Sequence, residues 1–315
     1  MTSQTGNQGI ETQAEELRFG IMYPPAFPWP QMVEGAQLIE SLGFDSLWLP
    51  DHFVNPGDPT TDWFECWTVL AALATQTESI RIGTLITSMI FRNPALVARQ
   101  ALTVDHISGG RLELGIGAGG SRHCHTMTGI PVWEPRERVD RFRDFAAIVD
   151  RLMQNEVTTY EGAYYRVDEA QIHPAPVQRP RPPLTIAAQG PKMLEIVATY
   201  ADSWSDFYVG ADLSPQQSSE IARQRNEKLD ELAAQAGRDP QAIWRSFAFG
   251  WTADNPFRSL DDFQEVVGRY REAGMNEFIF MYAPGVTEFA NRAFTSREQL
   301  QRIAAEALPA IKEAP

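Results

Sequence analysis

Residues 80–120 read IRIGTLITSMIFRNPALVARQALTVDHISGGRLELGIGAGG. This stretch holds one complete structural unit. It opens on a β-rich apolar run, Ile80 to Ile86. Asn93-Pro94 then starts a helix, with Asn as cap and Pro at the first helical position. Gly109-Gly110 stops it, and a second β-rich run, Arg111 to Ile116, ends in glycines. A strand, a helix and a second strand in this order predict a parallel pair joined by a crossover.

The same unit repeats on both sides. Upstream, Leu17 to Tyr23 reads as the first strand. Its helix carries Met32, Ala36, Ile39 and Leu42 on one apolar stripe and ends at Gly43. Ser46 to Leu49 reads as the second strand, followed by a helix over Asp62 to Gln76. Downstream of the fourth strand, a helix begins near Pro135 with Val139, Phe142, Ala146, Val149 and Met153 on one face. The alternation then pauses. Val157 to Val167 contains Tyr160-Glu161-Gly162-Ala163-Tyr164, a hairpin signal, and His173 to Pro183 is Pro-rich and extended, a connection crossing the end of the fold. It resumes with strands at Leu184–Ala188, Ser203–Phe207, Arg245–Trp251 and Glu277–Tyr282. Their helices lie at Pro191–Ala201, Ser214–Ala236, Leu260 to Gly274 and Arg297–Ile311. Eight strands, each followed by a helix, predict an α/β fold: a (β/α)8 TIM-type barrel with an insertion between the fourth and fifth units. An open doubly wound sheet is the alternative, but it needs a glycine fingerprint after the first strand, where this chain has Tyr23-Pro24-Pro25. The expected organisation is a disordered polar tail over 1–16 and one barrel domain over 17–315.

Composition narrows the function. The 315 residues carry 41 acidic and 27 basic side chains, a net charge of −14. Such a chain disfavours nucleic acid or an anionic membrane as partner, since both attract basic surfaces. There is no apolar run long enough to span a bilayer, and the N-terminus lacks the apolar core of a signal peptide. Two cysteines, Cys66 and Cys124, are too few for a disulfide scaffold and fit a reducing cytoplasm. The expected partner is a small-molecule substrate.

In a barrel the chemistry collects at the C-terminal ends of the strands. There the sequence places Asp51-His52, Thr84 and Thr87, the run Gly115-Ile116-Gly117-Ala118-Gly119-Gly120, and Gln189-Gly190. His52 is the natural proton-transfer candidate, because imidazole titrates near neutrality. The glycine run permits close approach of a ligand to backbone. In Ala188-Gln189-Gly190-Pro191-Lys192 a helix begins at Pro191, and one of only three lysines sits at its positive end. A phosphate there would turn an unfavourable charge into a favourable one. His123-Cys124-His125 also suggests a metal pair, but the fifth to eighth strand ends offer no further His ligand. No metal is therefore expected, and His125 is read as bonding a loop or ligand. His106, on a helical face, reads as structural. Phe27, Trp29 and Trp63 fall in or near loops after strands and are candidates to line an apolar pocket.

Several of these segments, taken in order, resemble the bacterial-luciferase-like monooxygenase superfamily. They are Leu49-Pro50-Asp51-His52, Arg92-Asn93-Pro94-Ala95, Asp105 through Gly119, Tyr160-Glu161-Gly162, Pro176-Val177-Gln178-Arg179-Pro180, and Gly190-Pro191 through Ala201-Asp202. The resemblance runs from Leu17 to the C-terminus. It implies a TIM-type barrel that binds a flavin-type cofactor in its mouth. The pattern is most similar to the branch that uses coenzyme F420, a deazaflavin, for hydride transfer. The alternative is the branch that uses reduced FMN and oxygen, supplied by a separate flavin reductase. The resemblance further implies that Asp51 and His52 form the acidic–His pair near the ring, with His52 moving the proton. It implies a non-prolyl cis peptide within Thr84, Leu85 and Ile86, set against the ring near Thr87. Ala118, Gly119 and His125 are then expected along the cofactor, and Gln189, Gly190, Pro191 and Lys192 around its phosphate. Relatives of this kind often form homodimers. Some deazaflavin enzymes carry a Glu as proton donor after the fourth-strand glycines. This chain has Gly120-Ser121-Arg122 there, which sets it apart from the sugar-phosphate subgroup.

Overall fold

The computed structural model of the chain describes residues 16–207, 213–284 and 295–312. Of the expected tail, all but Glu16 lies outside the described residues. The strands are β1 (Arg18–Met22), β2 (Ser46–Leu49), β3 (Arg81–Thr84), β4 (Thr87–Ser88), β5 (Leu112–Gly117), β6 (Thr158–Glu161), β7 (Arg166–Ala170), β8 (Leu184–Ala187), β9 (Ser203–Asp206), β10 (Trp244–Ala248) and β11 (Glu277–Met281). The main sheet runs β3-β2-β1-β11-β10-β9-β8-β5-β4, and a further β3–β5 pairing closes it into a ring. Every barrel pairing is parallel. The ring has eight staves, because β3 and β4 are two parts of one stave, both paired with β5.

That split is where the structure departs from the continuous third strand read over Ile80 to Ile86. The Leu85–Ile86 peptide bond is cis and the chain bulges inward. Glycines on the neighbouring strand make room for it. A Cβ on Gly115 would lie 1.9 Å from the Thr84 carbonyl oxygen, and one on Gly117 would lie 1.8 Å from Ile86 Cδ1. The glycine run therefore accommodates protein first.

Helices cover the outside of the ring: α1 (Trp29–Ser41), α2 (Cys66–Ala74), α3 (Pro94–Ile107), α4 (Arg122–Met127), α5 (Pro135–Gln154), α6 (Pro191–Tyr200), α7 (Pro215–Gln235), α8 (Leu260–Glu272), α9 (Arg297–Glu306) and α10 (Leu308–Lys312). Asn93 caps α3 by accepting from Ala95 N at 2.9 Å. α2 starts later than the apolar pattern indicates, because Glu65 caps it by accepting from Thr68 N. The single last helix of the sequence reading is two: it breaks at Ala307, just before Pro309, whose missing N–H cannot continue the ladder.

Between α5 and β8 lies an antiparallel hairpin, β6–β7. It docks on α5 through Asp144, which accepts from Tyr160 Oη at 2.9 Å and from Tyr164 N at 2.9 Å. The Pro-rich connection then crosses the N-terminal end of the barrel. Asp105 at the end of α3 holds it, accepting from Val177 N at 2.7 Å and Gln178 Nε2 at 2.9 Å. Arg111 ties the same end together by donating to the carbonyls of Ala74, Thr77 and Ile80. Inside the ring, Trp48 is fully buried, with Gly20 and Gly83 leaving space for its indole.

Candidate active site

A cavity of about 260 Å3 opens at the C-terminal ends of the strands. All eight staves contribute. Met22, Ala187, Ala248 and Met281 end β1, β8, β10 and β11, and Phe207 follows β9. Pro50, Asp51 and His52 follow β2, the Leu85–Ile86 bulge comes from the third stave, and Gly119, Gly120 and Ser121 follow β5. The walls are mostly hydrocarbon and aromatic, with Trp63 and Trp251 at the sides.

Asp51 and His52 share this wall but differ in what their side chains do. Asp51 is clamped. Its Oδ2 accepts from Arg92 Nη1 at 2.5 Å and from Ser88 N at 3.0 Å, and its Oδ1 lies 3.3 Å from Arg92 Nη2. Arg92 also pairs with Glu65. Burial holds the Asp51 carboxyl above the usual range despite Arg92. Asp51 thus fixes the loop bearing Ser88, and Arg92 is a partner to which the sequence reading assigned no role. His52 has no such clamp. Its backbone carbonyl accepts from Trp63 Nε1 at 3.0 Å, and its Nδ1 lies 3.9 Å from Cys124 Sγ. Burial pulls its pKa below the ordinary value, because the imidazolium loses solvation.

The structure sorts the remaining candidates. Leu85, Ile86 and Gly119 line the cavity. A Cβ on Gly119 would meet Ile90 at 2.7 Å and Ser88 Oγ at 2.8 Å, and its φ is +66°. Thr84 and Thr87, expected at the cofactor, lie behind the wall instead. Trp67 Nε1 donates to Thr87 Oγ1 at 3.1 Å, Thr87 to Thr84 Oγ1 at 2.9 Å, and Thr84 to the Gly115 carbonyl at 2.8 Å. This chain of hydrogen bonds braces the bulge from outside. Ala118 packs on the core and does not line the cavity. His125, also expected along the cofactor, is almost fully buried. Its Nδ1 faces the Pro131 carbonyl at 2.8 Å and its Nε2 faces the Gly119 carbonyl at 3.1 Å. It supports the Gly119 loop and does not line the cavity. His123 is exposed, so the two histidines do not converge.

Of the aromatic candidates, Trp63 reaches the cavity. Phe27 stacks on Tyr23 in the core and Trp29 is exposed at the surface. Phe207, and Trp251, which the sequence suggests as core, pack edge-on at 5.7 Å and line the cavity. For Phe207 the signal was available, since it continues the inward alternation of Ser205 past the end of β9; Trp251, three positions after Ala248, breaks that alternation in β10.

Gly190, Pro191 and Lys192 line a separate pocket of about 540 Å3, together with Arg136 and Asp140 of α5. It lies just beyond Ala187 on the same strand end. Helix α6 starts at Pro191 with no side-chain cap on its first N–H groups. Arg136 adds a cation opposite Lys192, and Asp140 a carboxylate. Gln189 lies between the two pockets and lines neither. The residues present suit a mostly apolar ring carrying an anionic tail: an apolar cavity and, further along the same strand end, a helix start with Lys192 and Arg136.

Comparison with known proteins agrees with this architecture. The sequence profile described as luciferase-like monooxygenase matches residues 3–310. A 5,10-methylenetetrahydromethanopterin reductase of Archaeoglobus fulgidus is 30% identical over 72% of this chain and 61% of its own length. An F420-dependent glucose-6-phosphate dehydrogenase of Amycolatopsis mediterranei is 32% identical over 56% of this chain and 52% of its own. The chain thus spans less than two thirds of the length of these relatives. Among solved structures, an F420-dependent secondary alcohol dehydrogenase in complex with an F420-acetone adduct superposes with a TM-score of 0.79. It is 19% identical and covers 94% of this chain and 99% of its own. The chain belongs to the luciferase-like monooxygenase family.

Proposed function

We propose that the chain is an F420-dependent oxidoreductase that exchanges a hydride between the deazaflavin and a largely apolar alcohol–carbonyl pair. The observation that carries this reading is a mostly apolar cavity at the strand ends with one unclamped imidazole, His52, in its wall. Leu85, Ile86 and Gly119 would hold the ring, while Gly190, Lys192 and Arg136 would hold its phosphate-bearing tail. Bound F420 supplies a carbon centre that accepts or delivers hydride. The chain's own residues handle the proton and the solvent. His52, kept neutral by burial, takes the hydroxyl proton when an alcohol is oxidised and returns it to the carbonyl oxygen in the reverse direction. Met22, Ala248 and Met281 close the floor against water. The names of the relatives support the choice of cofactor, and the absence of a Glu at Gly120-Ser121-Arg122 argues against a sugar phosphate.

The test is a side-by-side fluorescence titration with F420 and FMN. Tighter binding of F420, with turnover of 2-alkanols, is expected. Preference for FMN, with oxygen uptake when reduced FMN is supplied, would replace this reading with that of an FMN-dependent monooxygenase.

A further inference from the structure

The two ring nitrogens of His52 meet different surroundings. Nδ1 lies 3.9 Å from Cys124 Sγ, whereas Nε2 has no protein partner among the described residues. His52 lines the cavity, so Nε2 is the nitrogen left for a substrate. A histidine that acts as a base is often held by a carboxylate, which takes the Nδ1 proton and leaves Nε2 bare. Here the carboxylate next in sequence, Asp51, is committed to Arg92 and the Ser88 amide. Burial is what lowers the His52 pKa, and no charged neighbour contributes. A thiol stands where the carboxylate would.

That thiol is fixed by the start of α4. Ser121 Oγ caps the helix by accepting from Cys124 N at 3.4 Å, and the Cys124 carbonyl accepts from Thr128 Oγ1 at 2.8 Å. The next residue, His125, is buried between the carbonyls of Pro131 and Gly119. Among the described residues the Sγ atom has no polar partner other than His52 Nδ1. A thiol is a weak donor and a weak acceptor, but an imidazole lone pair is a far better acceptor than sulfur. The contact is therefore best satisfied with S–H donating to Nδ1, and the ring proton is then on Nε2.

We propose that Cys124 is a positioning residue that keeps the proton of neutral His52 on Nε2, so that the imidazole meets a carbonyl oxygen as a donor. This rests on the hydride-exchange reading for the use of that proton, but not for its place on the ring. When the carbonyl carbon receives hydride, with reduced deazaflavin as its source, the C=O π pair moves to oxygen and the oxygen takes the Nε2 proton. The thiol proton moves to Nδ1, so the ring stays neutral and the negative charge ends on Sγ. A proton from solvent restores the thiol once the product has left. Oxidation runs the same steps backwards.

The experiment labels the full chain with 15N-histidine and follows His52 by NMR against pH, without cofactor, in the wild type, Cys124→Val and Cys124→Ser. A His52→Asn variant assigns its signals among the five histidines. Above its titration, wild-type His52 is expected to be protonated at Nε2 and bare at Nδ1. Cys124→Val keeps the site apolar but removes a hydrogen bond that favours the neutral ring. Its His52 is therefore expected to titrate about half a pH unit or more above the wild type, with Cys124→Ser close to the wild type. With reduced F420 and acetone, kcat is expected to fall about tenfold in Cys124→Val, the worth of one hydrogen bond, with KM little changed and most of the loss recovered in Cys124→Ser. A wild-type ring protonated at Nδ1, a Cys124→Val titration at or below that of the wild type, or an unchanged kcat in Cys124→Val overturns the proposal. The expected tautomer and titrations with no F420-dependent turnover in the wild type leave the placement of the proton standing and sink the hydride reading.

Discussion

The lower lumen and the upper cavity are built from the same eight staves, one inward step apart, yet they carry opposite chemistry. Phe207 stands two positions after Ser205, Ala248 two after Ser246, and Ala187 two after Thr185. Below, a registered row runs Ser205, Ser246, Glu277 and Arg18 across neighbouring strands, and Glu113 pairs with Arg18 and Arg81. Above, one step on, stand Phe207, Ala248 and Ala187, and two steps above Arg18 and Glu277 stand Met22 and Met281. Strand alternation makes both layers face inward, so being inward-facing does not decide polarity. The polar layer lies where fixed charges can pair within the protein. The apolar layer lies where a flat ring would need contact without competing hydrogen bonds.

Buried carboxyls show the same contrast. Asp51, above, is paired bidentately and stays committed to Arg92. Glu277, below, is fully buried next to Glu113, and burial with that like charge lifts it to about 8. Burial and the Glu113 charge favour its neutral form, with Arg18 only partly opposing the shift.

The comparison can be broken at four points. The largest effect is expected at the cavity wall. His52→Ala should lower F420-dependent turnover by about 100- to 10,000-fold, the usual span for a lost acid–base group, while F420 affinity changes little. In the wild type, the acid limb of alcohol oxidation should lie below the ordinary imidazole value of 6.5, because burial depresses His52. An unchanged kcat in the variant would remove His52 from the chemistry.

Arg92→Met leaves Asp51 buried and without its cation, and denaturant unfolding should show a loss of about 3–5 kcal/mol. A loss under 1 kcal/mol would mean that the clamp is not what holds the Ser88 loop. Gly115→Ala puts a methyl group against the backbone carbonyl of Thr84, at 1.9 Å. It should cost about 1–3 kcal/mol and weaken F420 binding through the displaced bulge. Full stability together with full affinity would show that the bulge is not braced from β5.

The remaining effect belongs to the lower layer. The folded-state value of Glu277, about 8, lies above the ordinary 4.5. The unfolded chain therefore releases this proton first as pH rises. Stability contributed by the neutral acid is full below 4.5 and falls through the window up to about 8. Glu277→Gln should flatten that fall by roughly 1 kcal/mol per pH unit. Parallel stability–pH curves for the two proteins would place the ionised carboxylate in the lumen instead.

Much of the fold was legible because it is written in local period. The stripe Met32, Ala36, Ile39, Leu42 and the cap Asn93 act within a few residues of themselves, and so are visible one segment at a time. The most recognisable motif, Asp105 to Arg111, proved structural: its side chains fasten the Pro-rich connection and the strand starts at the end away from the cavity. The threonines at 84 and 87 were read as ligand-facing because they stand at a strand end. Thr84 pairs with Leu49, in opposite phase to the inward Gly83 beside Trp48, so strand period itself turns it outward; only Thr87, beyond the bulge, owes its outward position to the break in phase.

By itself the sequence determined the alternation of strand and helix, the end of the barrel where glycine and polar residues gather, and His52 as the titratable group there. Only the tertiary structure decided that Arg92 clamps Asp51 across 41 residues and that Cys124 stands beside His52 across 72. The reason is physical. Burial period is a property of neighbouring residues, whereas these contacts exist only once the ring has closed and carried distant loops to one rim.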